Sequence, residues 1–326
     1  MTALSQLVQA LPAEIDAAIY VVLHIPPHSP SLLADILAPC TRLPVLAAVD
    51  GAPIRRGHIV VATADRHLMV DADQVRVTRG PKECRARPSV DVLFRSAAAT
   101  HGERVIGVVL TGMLDDGTAG LWAIKDRGGV ALVQDPNDAE YSSMPESALS
   151  YVSADAVVPI AGMAEEIMAW LRRPVPRTSQ HPVSHRMEVE NRIAREGNAL
   201  QAGSIDIGKP SVFTCPDCHG ALAEINEGPI VRFRCHTGHA FSPRTLLADV
   251  NEAIDHGLWD TLRAVEERIL LLRRMEAAAM ESDSGKALSE SAAQIENAQA
   301  GAESLRALLM RDDLFAQMPK SPNGKA

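Results

Sequence analysis

Three cysteines and one histidine in the second half of the chain have the spacing of metal ligands. Cys215 and Cys218 form a Cys-x-x-Cys pair, and after a spacer of 16 residues Cys235 is followed by His239. Two thiolates on one side of a tetrahedral ion and a second pair on the other complete a zinc site. Four protein ligands leave no open position, so we predict a structural rather than catalytic zinc ion. His236 is the less favoured fourth ligand because it neighbours Cys235, and reduced structural cysteines without metal are the simpler alternative.

Two further polar groups stand where buried strands should end. His24 follows the apolar run 18–23, and Asp115 with Asp116 follows the run 105–110. In open α/β sheets, ligands bind at the carboxyl ends of the strands. A histidine and an aspartate there can serve as the base and the orienting carboxylate of a hydrolase. The simpler interpretation is a hydrogen-bonded surface histidine and a turn-forming or helix-capping aspartate.

These groups need a scaffold, and residues 1–172 alternate short buried runs with helical patterns. We predict an α/β fold, a doubly wound, mainly parallel sheet with helices on both faces. The stretch 55–78 has short alternating runs and turn signals, so we expect an antiparallel excursion at the sheet edge. The predicted strands cover 18–23, 105–110 and 130–133, and the predicted helices cover 31–37, 91–99, 118–126 and 161–171.

The second half of the chain has a different character. Residues 173–210 are polar and proline-containing, typical of a linker, with a short helix near 186–194. A zinc ribbon-like module follows over 211–245, with a strand at 230–233. Residues 246–315 carry apolar positions spaced by three and four, which predicts a helical hairpin or short coiled coil around Ser282-Asp283-Ser284-Gly285. The hairpin is expected to be structural, to self-associate or to bind a partner, and 316–326 to be a flexible tail.

Charge and composition exclude several classes of partner. The net charge is -9 and no long basic block occurs, so nucleic acid is not an expected partner. No run of 18 apolar residues could span a membrane, and the first residues lack a secretory signal pattern. We therefore expect a cytoplasmic protein with reduced cysteines.

Five segments in the first half, taken in order and spacing, resemble the catalytic domain of the CheB protein-glutamate methylesterases. The resemblance covers residues 1 to about 172 almost continuously. The His-x-Pro-Pro and Thr-Gly-Met-x-x-Asp-Gly elements together are specific. The segments are Val-Val-Leu-His24-Ile-Pro-Pro, Asp50-Gly-Ala-Pro-Ile-Arg-Arg-Gly57, Leu110-Thr-Gly-Met-Leu-Asp-Asp-Gly-Thr-Ala-Gly120, Gln134-Asp-Pro and Ser143-Met-Pro-Glu-Ser-Ala148.

The resemblance implies an enzyme that hydrolyses methyl esters of glutamate side chains on chemoreceptors, and that can also deamidate receptor glutamines. It implies that His24 is the general base, that Asp116 orients it, and that the backbone near Met113 helps to form the oxyanion hole. It implies a methylated chemoreceptor as partner and no cofactor for catalysis.

One departure concerns the nucleophile. The family carries it in a Gly-Ala-Ser-x-Gly-Gly loop after a first strand, whereas Met1-Thr-Ala-Leu-Ser-Gln-Leu-Val matches the segment just past the glycine pair. Ser29, Ser142 and Ser143 lie in no nucleophile elbow. The residues as written are therefore expected to be inactive. Either the start codon was assigned too late, or the domain is truncated and acts as a non-catalytic signalling scaffold.

The cysteine-bearing segment also resembles C-terminal extensions on some CheB-like proteins outside the standard chemotaxis pathway. The shared patterns are Phe-x-Cys-Pro-x-Cys and Arg-Cys-x-x-Gly-His-Ala-Phe-Ser, here at 213–218 and 234–242. The predicted zinc ligands Cys215, Cys218, Cys235 and His239 lie in these patterns.

Overall fold

A computed structural model describes residues 1–175, 181–281 and 285–311. The chain divides into two compact units, Met1–Leu246 and Leu247–Ala326. Part of the predicted linker (176–180), the predicted turn at 282–284 and the predicted tail (316–326) lie outside the described residues.

The strands of the first unit fall into a parallel and an antiparallel group. Six parallel strands form two three-stranded sheets, ordered β1-β3-β2 and β6-β7-β8, and β4 pairs antiparallel with β5. The strands are β1 (Ala18–Val21), β2 (Val45–Ala47), β3 (His58–Val61), β4 (His67–Val70), β5 (Val75–Thr78), β6 (Ile106–Val109), β7 (Val130–Gln134) and β8 (Ala156–Val158).

Helices cover both faces of the parallel strands, as the sequence predicts. Because successive side chains of a strand point to opposite faces of the sheet, a strand can contribute to an apolar cluster on each face. In β7, Leu132 joins a cluster with α1, α2 and α6, whereas Val133 joins a cluster with α3, α4 and α5. The helices are α1 (Thr2–Ala10), α2 (Leu33–Leu37), α3 (Val90–His101), α4 (Thr118–Asp126), α5 (Ser143–Tyr151) and α6 (Ile160–Leu171), with 3-10 turns at Ala38–Cys40 and Gly102–Arg104.

The prediction for residues 55–78 is wrong in its first part. Only β4 and β5 form the antiparallel excursion, whereas β3 is the central strand of a parallel sheet between β1 and β2. Ile59 and Val61 of β3 are almost fully buried. In the sequence, β3 is a run of only four residues that follows charged turn residues. Such a short run does not show whether a strand is central or at the edge of a sheet.

A helix and a four-stranded antiparallel sheet complete the first unit. Helix α7 (His185–Glu196) lies inside the predicted linker, and its Met187 packs in the same cluster as α3 and α4. The sheet has the order β12-β11-β10-β9. Its strands are β9 (Lys209–Thr214), β10 (Ala221–Glu227), β11 (Ile230–Cys235) and β12 (Ala240–Phe241). We call residues 209–241 the ribbon.

Two long helices follow the ribbon, α8 (Pro243–Glu281) and α9 (Gly285–Leu309). They bury a shared apolar seam of leucine, isoleucine and alanine side chains at the spacing of a paired helix face. Within the described part of the chain, no helix is both long and apolar enough to cross a membrane. The seam consists of Leu262, Ile269, Leu272, Ile295, Ala298 and Ala302.

A glycine allows α3 and α4 to cross at close range. A methyl group at Gly120 would stand 2.6 Å from Cβ of Phe94 and 2.9 Å from Cα of Asp91. The Gly120 N–H donates to the Asp91 carboxylate at 2.6 Å, so the contact fixes the distance between both helix N-termini. The N-terminus of α4 lies just past the carboxyl end of the parallel strand β6, where polar groups gather.

We predict that Gly120→Ala destabilises the protein by about 1–3 kcal/mol, because the added methyl group overlaps backbone atoms that cannot give way. Gly162→Ala in α6 is the matched control, since nothing lies within 4 Å of the added methyl group. That change should raise stability by up to about 1 kcal/mol through helix propensity. Urea unfolding of both variants measures the difference, and equal effects would contradict the close crossing.

Candidate active site

The structure brings together the histidine and the aspartate that the sequence places at strand ends. His24 lies just past β1, and Asp116 lies in the loop 111–117 between β6 and α4. Nε2 of His24 is 2.7 Å from Oδ2 of Asp116. The His24 side chain is 39% exposed and that of Asp116 only 2%. The pair therefore has one buried anionic end and one end open to a ligand.

The Asp116 carboxylate lies at the N-terminus of α3, where it replaces a side-chain cap. Its Oδ2 accepts from the N–H of Val90 at 2.7 Å, and its Oδ1 accepts from the N–H of Asp91 at 3.0 Å. The Ser89 hydroxyl donates to Oδ1 at 2.9 Å. The N–H groups and dipole of a helix N-terminus stabilise an anion. This arrangement keeps Asp116 ionised although it is buried.

The two pKa shifts agree with an ion pair. Burial acts against the charge of Asp116, but the hydrogen bond and charge of His24 and the N–H groups of α3 lower its pKa below the usual value. Burial also acts against protonated His24, yet the hydrogen bond and charge of Asp116 raise the His24 pKa above 6.5. With Nε2–H donating to Asp116, neutral His24 carries its lone pair on Nδ1 and can accept a proton there.

Asp91 and Ser89 belong to the site but were not predicted as site residues. Burial, and then the charge of Asp116, raise the pKa of Asp91 to about 8, which favours its neutral form. A neutral Asp91 leaves a single negative charge beneath His24. In the sequence, Ser89 stands directly ahead of a helix pattern. That position indicates an ordinary helix N-cap and does not show that Ser89 contacts a distant loop.

Asp115 faces a different part of the molecule from Asp116. It lines a cavity of about 130 Å³ together with Cys84, Asp91 and Ser242. Burial raises the pKa of Asp115, and a hydrogen bond from Ser242 opposes that shift. Of the two neighbouring aspartates, only Asp116 therefore contacts His24.

The loop around Met113 has an unusual backbone. A side chain at Gly112 would collide with Sδ of Met144 at 2.1 Å, and Leu114 adopts a φ of 62°. Gly112 exchanges backbone hydrogen bonds with Tyr141 and Met144, whereas the Met113 N–H donates to no other described residue. Met113 is 61% exposed. A free N–H at an exposed turn is a suitable donor for an oxyanion.

The described residues place no serine hydroxyl against His24. The one hydrogen bond of its ring within the described ranges is to Asp116. Ser143 begins α5, and neither it nor Ser29 forms a hydrogen bond with His24. The arrangement offers His24 as a candidate base, Asp116 as a carboxylate that can orient it, and the Met113 N–H as a candidate oxyanion donor.

The four predicted metal ligands lie together in the ribbon. Sγ of Cys215, Cys218 and Cys235 and a ring nitrogen of His239 all lie within 4.8 Å of one another, and His236 is not in this group. Sγ of Cys218 and Cys235 are 3.6 Å apart. Ligands about 2.3 Å from a tetrahedral ion would be about 3.8 Å apart, so the spacing fits zinc.

Comparison with known proteins agrees with the geometry of the first half. The CheB methylesterase family model matches residues 1–167. The chain belongs to the CheB methylesterase family. The alternative of an inactive scaffold gains no support from relatives named as methylesterases.

Relatives from two organisms share this CheB region. A protein-glutamate methylesterase/protein-glutamine glutaminase of Rhizobium johnstonii is 34% identical, over 51% of this chain and 46% of its own length. One of Methanosarcina mazei is 38% identical, over 52% of this chain and 48% of its own length. The chain thus spans about half the length of these curated relatives.

A solved structure matches the same half of the chain. The CheB methylesterase catalytic domain of Thermotoga maritima is 31% identical with a TM-score of 0.50, and the match covers 52% of this chain and 91% of that one. The parallel-sheet fold of the first half is therefore the CheB catalytic fold.

We predict that His24 titrates above 6.5 and that Asp116→Asn lowers its pKa by about one to three units, because the opposite charge is lost. Asp115→Asn is the matched control and should leave His24 nearly unchanged. NMR titration of the His24 ring protons measures both effects. A His24 pKa that responds equally to the two variants would contradict the pairing.

The pKa shifts of His24 and Asp116 also make the free energy of unfolding depend on pH. The raised His24 pKa gives a stabilising contribution that is complete below 6.5 and is lost as pH rises through the folded-state pKa. The lowered Asp116 pKa gives a contribution that is present above 3.8 and is lost as pH falls through its folded-state pKa. Asp116→Asn should remove both slopes from a pH series of unfolding measurements.

Proposed function

We propose that this chain carries the base and charge-stabilising groups of a protein-glutamate methylesterase acting on methylated chemoreceptors, with deamidation of receptor glutamines by the same groups. The hydrogen bond between His24 and Asp116 is the observation that carries the proposal. Neutral His24 can remove a proton only from a group placed at its exposed side, and ester cleavage requires such a group.

The proposed steps follow from the positions of these atoms. Nδ1 of His24 takes the proton of the attacking hydroxyl while Asp116 stabilises the imidazolium. The Met113 N–H stabilises the oxyanion of the tetrahedral intermediate. His24 then returns the proton to the leaving methoxide, which departs as methanol. This leaves the glutamyl group as an ester on the attacking hydroxyl oxygen. Water, deprotonated by His24, attacks that ester, and its C–O bond breaks as His24 returns the proton to the hydroxyl oxygen, which releases the glutamate carboxylate.

The attacking hydroxyl is assigned by resemblance to the serine of a Gly-Ala-Ser-x-Gly-Gly motif, which does not occur in the 326 residues. These residues alone should therefore give only a trace of activity, by attack of water assisted by His24. Supplying that motif with its preceding strand in frame ahead of Met1 should give full activity. The self-association predicted for the C-terminal helices stays a prediction.

We predict that methanol release from methylated receptor by the extended form falls on the order of a millionfold in His24→Gln, as for other triads. His28→Gln is the matched control, because it changes a nearby exposed histidine without touching Asp116. Release that survives His24→Gln, or is absent from a folded extended form, would contradict the proposal.

We further propose that the ribbon binds one structural zinc ion through Cys215, Cys218, Cys235 and His239. The shared proximity of these four ligand atoms supports the proposal. A zinc ion would balance the charge of the thiolates. It would link the turn between β9 and β10, which carries Cys215 and Cys218, to the end of β11 and the turn after it, which carry Cys235 and His239.

Purified full-length protein kept reduced and free of chelator should contain one zinc per chain by elemental analysis. Cys215→Ser should lose it, because three ligands hold zinc far more weakly than four. His236→Gln is the matched control and should retain the metal. Absence of zinc from the parent protein would contradict the proposal, and loss in His236→Gln would change the ligand set.

A further inference from the structure

Six charged side chains are buried together between the ribbon and the rest of the first unit. They are three carboxylates and three guanidinium groups, and no side chain in the set is more than 5% exposed. Buried charges are tolerated only when they are paired and hydrogen-bonded. Here each guanidinium group donates to at least one of the carboxylates, so the position of each partner is constrained. The set, which we call the ionic clamp, consists of Glu83, Arg95, Glu190, Glu227, Arg232 and Arg234.

The ionic clamp joins segments that are far apart in sequence. Nη2 of Arg95, in α3, lies 2.8 Å from Oε1 of Glu83. Nη2 of Arg234, in β11, lies 2.8 Å from the same oxygen and 2.9 Å from Oε1 of Glu190, in α7. Glu83 is therefore shared by a ribbon arginine and an α3 arginine.

Strand β11 presents this clamp and the candidate zinc site on opposite faces. Successive strand residues alternate, so Arg232 and Arg234 lie on one face while Phe233 and Cys235 lie on the other. Nη1 of Arg234 also donates to the carbonyl of Gly238 at 2.7 Å, within the turn that leads to His239. The ligand-bearing turn and the ionic clamp are thus held by one strand.

A backbone contact adds a second connection beside the ligands. Cys84 N–H donates to the carbonyl of Ala240 at 2.9 Å, and Ala240 N–H donates to the carbonyl of Lys82 at 3.1 Å. Glu83 lies between these two bonds and immediately before Cys84. The residue that follows His239 therefore pairs, strand to strand, with the segment that carries Glu83.

Helix α3 carries the connection to the candidate active site. Its Arg95 binds Glu83, and its first N–H groups, at Val90 and Asp91, bind the carboxylate of Asp116. A shift of α3 by a fraction of an ångström would lengthen the bonds to Asp116 and change its pairing with His24. Small displacements of catalytic groups have large effects on rate.

We propose that Glu83 is a positioning residue of the active site, through which the ribbon holds α3 so that Asp116 faces His24. The inference rests on the proposed function in taking His24 and Asp116 as the active site. It assigns the ribbon a role in aligning the base, in addition to a role in stability.

Two matched variants of the full chain test the proposal. Glu83→Gln removes the carboxylate that joins the ribbon to α3. Glu227→Gln removes a carboxylate that is equally buried but that binds Arg232 within the ribbon. Both replace a buried acid by an amide, so a general loss of ribbon stability should be similar in the two.

The primary readout is the pKa of His24, from NMR titration of folded protein. Glu83→Gln should bring it part of the way down towards 6.5, whereas Glu227→Gln should leave it at the parent value. In the extended form, kcat/KM should fall about tenfold or more in Glu83→Gln alone. Zinc content of both variants is measured in parallel.

Two results would overturn the proposal. One is a His24 pKa unchanged in folded Glu83→Gln, and the other is an equal change in both variants. If Glu83→Gln does not fold, Arg95→Lys replaces it, since it keeps the charge but loses the paired N–H groups, and the same two outcomes decide. The titration needs no turnover, so a failed methylesterase proposal, seen as no methanol release, is distinguishable from a failed positioning proposal.

Discussion

The site depends on one buried carboxylate, Asp116, and on the donors that keep it charged. A carboxylate removed from water is costly unless hydrogen bonds replace its hydration. Here the N-terminus of α3, the Ser89 hydroxyl and the His24 ring supply them. These donors come from segments that are distant in sequence, so the sheet, α3 and the loop 111–117 must all be in position before the charge is tolerated. The packing that stabilises the core therefore also orients His24.

Helix α3 is held on two sides by different physical means. On one side it packs on α4 without space for a methyl group at Gly120, so dispersion and steric contact set the distance. On another side, Arg95 enters the ionic clamp, where charge pairing sets the position. Apolar packing tolerates small sliding, but the charged hydrogen bonds from Nη2 of Arg95 to the two oxygens of Glu83 are directional. The two together locate the helix N-terminus that receives Asp116.

The ribbon is small, and its own apolar cluster contains few side chains. Modules of this size need a metal ion or a larger partner to be stable. The ribbon has a candidate for each. The predicted zinc ligands lie on one face of β11, and on the other face the ionic clamp joins the ribbon to the rest of the first unit. The family match ends at residue 167, yet the compact unit extends to Leu246. The ribbon is thus packed into the body that carries the site.

The sequence alone determined the features that depend on local pattern. The apolar runs and helical spacing predicted β1, β6, β7 and most helices, and the motifs predicted His24 and Asp116 as partners. The spacing of Cys215 to His239 predicted four side chains that the structure brings close together. Such features are set by neighbouring residues, through strand alternation, helix periodicity and the reach of a short turn.

Only the tertiary structure decided the long-range contacts. It placed β3 at the centre of a parallel sheet, and it made Ser89 and Asp91 partners of a loop some 25 residues away. It also buried Glu83 and Arg234, which in sequence look like ordinary surface charges, against each other across 151 positions. No local pattern encodes these pairings, because a buried charge is stabilised by whichever partner the packing of the whole chain brings to it.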